Sequence, residues 1–361
     1  MRNRARYAGF AVFFSIILVL LMLFNWYIML RLFEMLLLPK GGVWFWLFVV
    51  LSAVSFILAM AMTRGRGNPL AKGYYLTASL WLGFQIYFSF SLMASDILRY
   101  FVFFDRMVIS LSLPLITLAL VCIAAVVPLF VRVRTVEIPA RRLGKGMRIA
   151  HISDLHMGLV NGEAHLRRLV GMANEMNPDI VAITGDISDG PVGRGPNPFM
   201  PLKELRAPAF FCTGNHEYYA GVDEIAGFLK GVGVKVLRNE VVECSGAQII
   251  GIDYGDGKEL REALSKLPYD RSKYAILLYH SPDSIEIAQE AGIDLMLSGH
   301  THAGQTFPFT VMAWMVWRKY SGLYEHKGTH LFVTSGAGTW GPPLRLGTRS
   351  EVALIRRNPE K

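Results

Sequence analysis

The chain has 361 residues, a formal net charge of +9 and a mean hydropathy of +0.35, with 52% hydrophobic residues. This hydropathy is high for a soluble protein, and the length allows more than one domain. Residues 1–146 hold 15 Lys and Arg against 4 Asp and Glu, whereas the remainder holds 22 against 24. Because the basic excess lies in the apolar part of the chain, it indicates contact with lipid headgroups, and we expect no nucleic-acid partner.

Four long stretches near the N-terminus contain no charged residue: residues 7–30, 41–63, 73–95 and 107–131. Each exceeds the ~20 residues that a helix needs to cross a bilayer, and four in succession are unlike the helices of a soluble core. A signal peptide does not explain the first stretch, which is too long and lacks a small-residue cleavage site. We therefore predict an integral, multi-pass membrane protein with a four-helix transmembrane domain at residues 1–133.

The charges between these stretches predict their orientation. Lys and Arg number 11 in the N-terminal tail, the second loop and the segment after the fourth stretch, but only 4 in the first and third loops. The more basic side is normally cytoplasmic, so we expect both termini and the C-terminal domain in the cytoplasm, at a bacterial inner membrane. Cys122, Cys212 and Cys244 show no pairing pattern, which fits a reducing compartment.

The rest of the chain alternates strand-like and helix-like segments. A basic linker is predicted at residues 134–146, followed by a domain at residues 147–361. Short apolar runs predict buried strands at residues 147–152, 180–184, 209–212, 249–252, 274–279, 294–297 and 331–334. Helical spacing of apolar residues predicts helices at residues 163–176, 222–229 and 284–291. The pattern indicates an α/β domain with a largely buried sheet.

Candidate metal ligands stand directly after five of these runs. The five motifs are His151-Ile-Ser-Asp154-Leu-His156, Gly185-Asp186, Gly214-Asn215-His216-Glu217, His280-Ser281 and Gly299-His300-Thr301-His302. Functional residues in α/β domains lie past the carboxyl ends of strands, so we expect the motifs to meet at one edge of the sheet. Alternation along an extended strand end would put both members of Asp-x-His and of His-x-His on one face. Mixed carboxylate and imidazole ligands suit Mn, Fe or Zn better than Ca or Mg.

The order of these motifs resembles that of the calcineurin-like metallophosphoesterase superfamily. The segments HISDLHMG, SGHTHAGQ and SGAGTWGPPLRLGTRSEVALI are similar to its membrane-associated bacterial branch of the YkuE and YaeI type, which includes pyrophosphatases acting on UDP-2,3-diacylglucosamine. The resemblance covers about residues 147–357 and implies a β-sandwich flanked by helices. The chain departs from many relatives at Ala303, where they have glycine.

The resemblance also implies a role for each motif residue. Two divalent ions are expected, of manganese, iron or zinc, with the ligands Asp154, His156 and His302 for one ion, Asn215, His280 and His300 for the other, and Asp186 between them. His216 would contact the phosphate or protonate the leaving group. The implied reaction is hydrolysis of a phosphodiester or pyrophosphate bond by a metal-bridging hydroxide.

Three further residues are candidates for substrate contact: Arg345, Asn161 and Tyr218, the last beside Tyr219. Each is as readily explained by a purely structural role, as a surface or buried polar residue.

Residues 306–321 are apolar and aromatic, interrupted only by Arg318 and Lys319. They predict either a packed core element or an apolar patch beside the site that meets the membrane. The second alternative favours a lipid-linked phosphate substrate, of the lipid A type by resemblance. Two other functions stay open: a tethered phosphodiesterase or phosphatase for soluble nucleotides or phosphoproteins, and a non-catalytic membrane scaffold. Because every ligand position is filled, the scaffold is the least favoured.

Overall fold

The structure, a computed structural model, describes residues 2–63, 68–102, 105–140, 146–191 and 196–359, without the side chains of residues 2–18, 106, 140, 358 and 359. The chain divides into two units, Met1–Ile123 and Ala124–Lys361. The division follows the change in composition along the sequence, from apolar helices to alternating strands and helices.

The first unit is helical, with α1 Arg2–Met35, α2 Val43–Thr63, α3 Pro69–Leu98 and most of α4 Arg106–Val126. Asn68 caps α3, because its side chain accepts a hydrogen bond from the Ala71 amide at 2.7 Å. In the described part of the chain, three stretches are long and apolar enough to cross a membrane: Val43–Thr63, Pro69–Leu98 and Met107–Leu129. This is one fewer than the predicted four. The other predicted stretch, residues 7–30, lies in α1, where the side chains up to residue 18 are outside the described part.

Polar side chains join α1, α2 and α3. Asn25 is fully buried, and its Oδ1 accepts hydrogen bonds from Ser52 Oγ at 2.7 Å and from Gln85 Nε2 at 2.9 Å. Trp81 Nε1 donates to Ser52 Oγ at 2.8 Å. Polar groups among apolar helices have few other partners, so this network favours one packing of the three helices.

The second unit contains the strands β1 Arg132–Ala140, β2 Met147–Ile152, β3 Ile180–Thr184, β4 Ala209–Cys212, β5 Lys235–Val236, β6 Glu240–Cys244, β7 Ala247–Gly251, β8 Ala275–Leu278, β9 Leu295–Ser298, β10 Gly322–His326, β11 Thr329–Val333 and β12 Glu351–Pro359. Its helices are α5 Glu163–Glu175, α6 Asn215–Ala220, α7 Val222–Gly231, α8 Gly257–Lys266, α9 Ile285–Glu290 and α10 Phe309–Val316, with 3-10 turns at Val127–Leu129, Met200–Glu204 and His302–Gly304. Every predicted strand and helix is present, with bounds shifted by two residues at most.

The strands form two mixed six-stranded sheets, in the orders β1-β12-β2-β3-β4-β5 and β10-β11-β9-β8-β7-β6. Strands β2 to β5 are parallel to one another, as are β7, β8, β9 and β11. Side chains from both sheets, such as Ile149, Phe210, Ile276 and Phe332, are fully buried in a single cluster. Helices α5 and α7 pack on the outer face of one sheet, and α8 and α9 on that of the other. The predicted α/β domain is therefore confirmed, as a sandwich of two sheets between helices.

Most of the segment predicted as a basic linker, residues 134–146, is a strand instead. β1 pairs in parallel with β12 from Arg132 to Ala140. Val136 and Ile138 are buried on the inner face of the strand, while the Arg132 guanidinium donates to Glu351 at 2.8 Å. Val136 and Ile138 alternate as in a strand, but the pattern is short and follows two arginines, Arg132 and Arg134. Residues 141–145 of the predicted linker lie outside the described residues.

Candidate metal centre

The candidate ligands follow the carboxyl ends of five parallel strands drawn from both sheets. β2 leads to Asp154 and His156, β3 to Asp186, β4 to Asn215 and His216, β8 to His280, and β9 to His300 and His302. All are buried except Asn215, His216 and His300, which are partly exposed. The strands of both sheets therefore end at one common edge of the sandwich, which is where functional residues of such domains collect.

The ligand loops leave the extended conformation immediately after the strands. Asp154, His156, Asp186, His300 and His302 all have φ between 46° and 72°. Non-glycine residues seldom adopt this conformation, and those that do are concentrated at functional sites, where the surrounding structure imposes it. We predicted that the two side chains of Asp-x-His and of His-x-His share a face because the strand end is extended. This prediction is wrong, because the residues are not extended. Left-handed turns bring the paired side chains together.

Glycines allow the ligand loops to touch one another. A Cβ atom on Gly214 would collide with Oδ1 of Asp186, and one on Gly299 would collide with Oδ2 of Asp154. Each of these glycines precedes a candidate ligand on its own loop and makes room for a ligand carboxylate on another loop. A larger residue at either position would push two ligand loops apart.

The donor atoms converge in three groups, each with atoms within 4.8 Å of one another: Asp154, His156 and His302; His156, Asp186 and His216; and Asp186, His280 and His300. Nε2 of His156 lies 3.0 Å from Nε2 of His302, and Nδ1 of His300 lies 3.2 Å from Nε2 of His280. Two imidazole nitrogens that each lie about 2.1 Å from one ion, at right angles, would be about 3.0 Å apart. The spacing within each imidazole pair therefore fits two ligands of one divalent ion.

Asp186 and Asn215 complete this arrangement. Oδ2 of Asp186 lies 3.2 Å from Nε2 of His280 and 3.8 Å from Nε2 of His156, so that one carboxylate reaches both imidazole pairs. Oδ1 of Asn215 is buried and has no hydrogen-bond partner among the described residues. An unpaired buried amide oxygen costs about 1–3 kcal/mol, a cost that a bound cation would remove. The residues present therefore fit a divalent metal centre.

Glu217 links two of the ligand loops. Its carboxylate is fully buried and accepts hydrogen bonds from the amides of Gly214 at 2.6 Å, Asp186 at 2.9 Å and Ile187 at 2.8 Å. One side chain thereby holds the loop after β4, which carries Asn215, against the loop after β3. Burial raises the pKa of Glu217.

Burial and mutual charge determine the protonation of the site. Burial by itself would lower the pKa of His280, but the carboxylates of Asp186 and Asp154 outweigh it and raise that pKa to about 10. His280 would therefore release a proton when a metal ion binds. Burial would likewise raise the pKa of Asp186, but the neighbouring imidazoles hold it well below its usual range. Burial lowers the pKa of His300 to about 4 and that of His302 well below its usual value. These two imidazoles are neutral at pH 7 and can serve as ligands.

Asp189 is a site residue that the sequence analysis missed. Its Oδ1 lies 3.3 Å from Nδ1 of His156 and 3.6 Å from Nδ1 of His216. A carboxylate behind a histidine fixes the orientation of the ring and makes the imidazole more basic. The available signal was a second acidic residue three positions after Asp186, on the same loop.

Two of the predicted substrate residues are internal. Arg345 is fully buried, and its guanidinium donates to the carbonyls of Ser335 at 2.7 Å and Gly338 at 2.8 Å. Burial lowers the pKa of Arg345 to about 10, so it remains a cation at pH 7. Asn161 is also buried, and its Nδ2 donates to the Leu155 carbonyl at 3.1 Å. Both residues brace the loops around the ligands, which leaves neither of them free to contact a substrate.

Aromatic rings border the centre. The Tyr219 and Trp340 rings lie 5.5 and 6.1 Å from the His216 ring, between centroids, and both are more than half exposed. The Trp317 ring lies 5.8 Å from that of His300. Tyr218, the third predicted substrate residue, is 44% exposed, whereas it is Tyr219 whose ring meets His216.

Comparison with known proteins agrees with this geometry. The sequence profile of a family described as calcineurin-like phosphoesterase matches residues 147–304. An uncharacterized metallophosphoesterase of Aquifex aeolicus is 36% identical over 244 residues, which cover 63% of this chain and 91% of that relative. The chain belongs to the calcineurin-like metallophosphoesterase family. Both the family and this relative are named as phosphoesterases, as the resemblance of the motifs implied.

Two further metallophosphoesterases are matched over a smaller share of their length. An uncharacterized metallophosphoesterase of Helicobacter pylori strain J99 is 36% identical over 240 residues, or 63% of this chain and 64% of the relative. The transmembrane protein with metallophosphoesterase domain of Danio rerio is 36% identical over 251 residues, or 62% of this chain and 56% of the relative. The chain therefore spans less than two thirds of the length of these two relatives. The second name is that of a transmembrane protein, and this chain has three helices long and apolar enough to cross a membrane.

Proposed function

We propose that this metallophosphoesterase is a membrane-anchored hydrolase that cleaves a phosphodiester or pyrophosphate bond with two divalent ions of manganese, iron or zinc. The observation that carries the proposal is the convergence of six candidate ligands: Asp154, His156 and His302 for one ion, His280 and His300 for the other, and Asp186 for both. The buried, unpaired Oδ1 of Asn215 supports it as a further ligand of the second ion. The reach of Asp186 to both imidazole pairs supports its role as the bridge.

The ions, when bound, would supply the positive charge that makes water a nucleophile near neutral pH and stabilises the phosphate oxygens. His216 would then act on the substrate. Burial, and to a smaller extent repulsion from His156, lowers the pKa of His216. The ring is therefore neutral at pH 7 and can donate one hydrogen bond to a phosphate oxygen. The Asp189 carboxylate acts in the opposite direction, because it favours the proton that a leaving group would take.

Two substitutions test this assignment. Asp186→Ala should remove the shared ligand, so that both bound metal and turnover are lost. His216→Asn should lower kcat by about 10²–10⁴-fold, the range of a single acid–base group, while bound metal stays near the wild-type amount. His326→Asn, on the strand β10, is the matched control. Loss of metal from the His216→Asn protein would make His216 a ligand and contradict the role proposed here.

We further propose a lipid-linked phosphate or pyrophosphate as the substrate, with UDP-2,3-diacylglucosamine-type lipids as candidates by resemblance. The apolar helices and the transmembrane relative support this proposal, because an anchored enzyme gains most from a substrate that lies in the same bilayer. Turnover of lipid pyrophosphates should exceed that of soluble aryl phosphodiesters in detergent. Exposed Tyr219 and Trp340 favour a second candidate, a soluble nucleotide whose base stacks on these rings. Strict preference for the soluble ester would select it.

The topology is proposed on charge alone. Four spans, with α1 as the first, would put both termini and the catalytic unit in the cytoplasm of a bacterial inner-membrane protein. A reporter that is active only in the cytoplasm should work when fused to the C-terminus. A periplasmically active reporter that works at that position would reverse the orientation.

A further inference from the structure

The apolar segment that follows the last ligand motif is exposed rather than packed in the core. On α10, the side chains Phe309, Val311, Met312, Trp314, Met315 and Val316 are 39–71% exposed, and Phe307 just before it is 47% exposed. Ala313 is the only residue of the helix that is buried. The alternative of a packed core element is therefore wrong. An exposed apolar surface of this kind marks an interaction site.

α10 is held firmly on the loop that carries His302. A Cβ atom on Gly304 would lie 2.5 Å from the Phe309 carbonyl oxygen, so the helix backbone lies directly on this loop. At the other end of the segment, Oγ1 of Thr301 donates to the Tyr320 carbonyl at 2.5 Å. Both ends of the exposed segment are thereby tied to the motif that supplies two candidate ligands. Whatever surface binds α10 must lie close to the metal centre.

The chemistry of the segment selects a lipid bilayer as its partner. Residues 306–317 contain no charged residue, and Arg318 follows them at once. Arg318 is exposed and has no ion pair within the described part of the chain, so its guanidinium is available to a lipid phosphate. The exposed side chains of α10 offer almost no hydrogen-bonding groups, whereas a protein interface needs about one hydrogen bond per 100–200 Å². Tryptophan beside a basic residue is typical of helices that lie in the membrane interface.

We propose that α10 inserts into the bilayer interface and holds the metal centre at the level of the lipid headgroups. An interfacial helix buries its apolar face about 5–10 Å into the boundary between headgroups and acyl chains. The Trp317 ring, 5.8 Å from that of His300, would then lie between this boundary and the ligands. This inference goes beyond the proposed function, because the contact forms whichever ester the site hydrolyses.

Depth-dependent quenching tests the contact without any substrate. The full chain, with its three native cysteines replaced by alanine, is labelled with an environment-sensitive fluorophore at Met315→Cys, or at Glu262→Cys on α8 as the matched exposed control. In lipid nanodiscs that contain a shallow spin-labelled phospholipid, the label at position 315 should lose most of its emission, and the label at position 262 should lose little. Equal quenching at both positions would overturn the proposal. So would shielding of position 315 from aqueous iodide without lipid quenching, because a protein partner would then cover α10.

A charge substitution supplies an independent test. Met315→Glu should lower turnover of a phosphate ester embedded in vesicles by roughly tenfold or more, the factor expected when one large apolar side chain is no longer buried. Turnover of a soluble aryl phosphodiester should not change, and Met315→Leu should behave as wild type on both. Equal effects of Met315→Glu on both esters would contradict the proposal. If no embedded ester is hydrolysed, the lipid substrate fails as a proposed function, while the quenching experiment still decides the contact.

Discussion

Replacing Glu217 by glutamine should loosen the contact between two ligand loops while every ligand side chain stays unchanged. The two carboxylate oxygens of Glu217 face backbone donors only: Oε2 accepts from Asp186 and Gly214, and Oε1 accepts from Ile187, with the Ser188 amide at 3.5 Å. In Glu217→Gln, one of these oxygens becomes an NH2 group. That group points at two N–H donors and can bond neither, while the side chain also loses its negative charge.

The expected magnitude follows from the number of bonds lost. A hydrogen bond to a charged group is worth about 1.5–3 kcal/mol, and two are lost together. Because such terms are not additive, and the glutamine can turn its oxygen toward one pair of donors, we expect a loss of about 3–4 kcal/mol in unfolding free energy, in the range for breaking a buried charged pair. Outer partners of metal ligands typically change metal affinity by about 10–100-fold, and we expect that range here.

The assay is calorimetric titration of the metal-free full chain with Mn²⁺ or Zn²⁺, beside chemical unfolding of the same preparation. Glu259→Gln is the matched control, because Glu259 accepts a hydrogen bond from the N-cap amide of α8, that of Asp256, at 2.8 Å, as Glu217 does from the N-cap amide of α6. Helix α8 carries no ligand. The control should lose stability slightly and keep its metal affinity. Wild-type metal affinity in Glu217→Gln would refute the idea that this carboxylate sets the spacing of the ligand loops.

Three further outcomes are expected. Asp189→Asn should lower metal affinity and kcat together by about 10-fold or more, because the carboxylate lies behind both His156 and His216; an effect on neither would contradict this placement. Gln85→Leu should destabilise the helical unit by about 1 kcal/mol in detergent unfolding, because it removes a 2.9 Å hydrogen bond to Asn25. His151→Leu should flatten the acid sensitivity of folding. Burial lowers the pKa of His151 to about 3, so the unfolded chain takes up the proton first and stability falls as pH drops from about 6.5 to 3. Between pH 7 and pH 4.5, wild type should lose about 2.7 kcal/mol more stability than His151→Leu, measurable by pulse proteolysis.

The positions of the seven buried strands and of the candidate ligands could be predicted because both depend on local sequence. A buried parallel strand is a short apolar run, and a ligand follows the run at once, as Asp186 follows β3. β1 escaped prediction because its partner, β12, lies more than two hundred residues away in sequence. The pairing, and not the local composition of residues 132–140, determines its conformation.

The roles of residues around the ligands depend on contacts between distant loops, which no local pattern contains. Asn161 and Arg345 looked equally able to face a substrate or the interior, yet their donors are directed at loop carbonyls. Asp189 was missed because only its distances to His156 and His216 distinguish it from other acidic loop residues. In each case the sequence shows which chemical group the side chain carries, but contacts with a distant loop determine where that group points.

The position of α10 could not be predicted from local sequence either, but here the side chains are exposed rather than internal. An apolar run of eight residues has the same composition whether a core or a bilayer covers it, so hydropathy alone left both alternatives open. The exposure of the side chains decides between them, because Ala313 is the one residue of α10 that is buried. The close approach of Gly304 to Phe309 places this exposed helix against a ligand loop. The remaining apolar side chains then have no protein surface to cover them within the described part of the catalytic unit. In a chain with membrane-length helices, the nearest apolar phase is the bilayer.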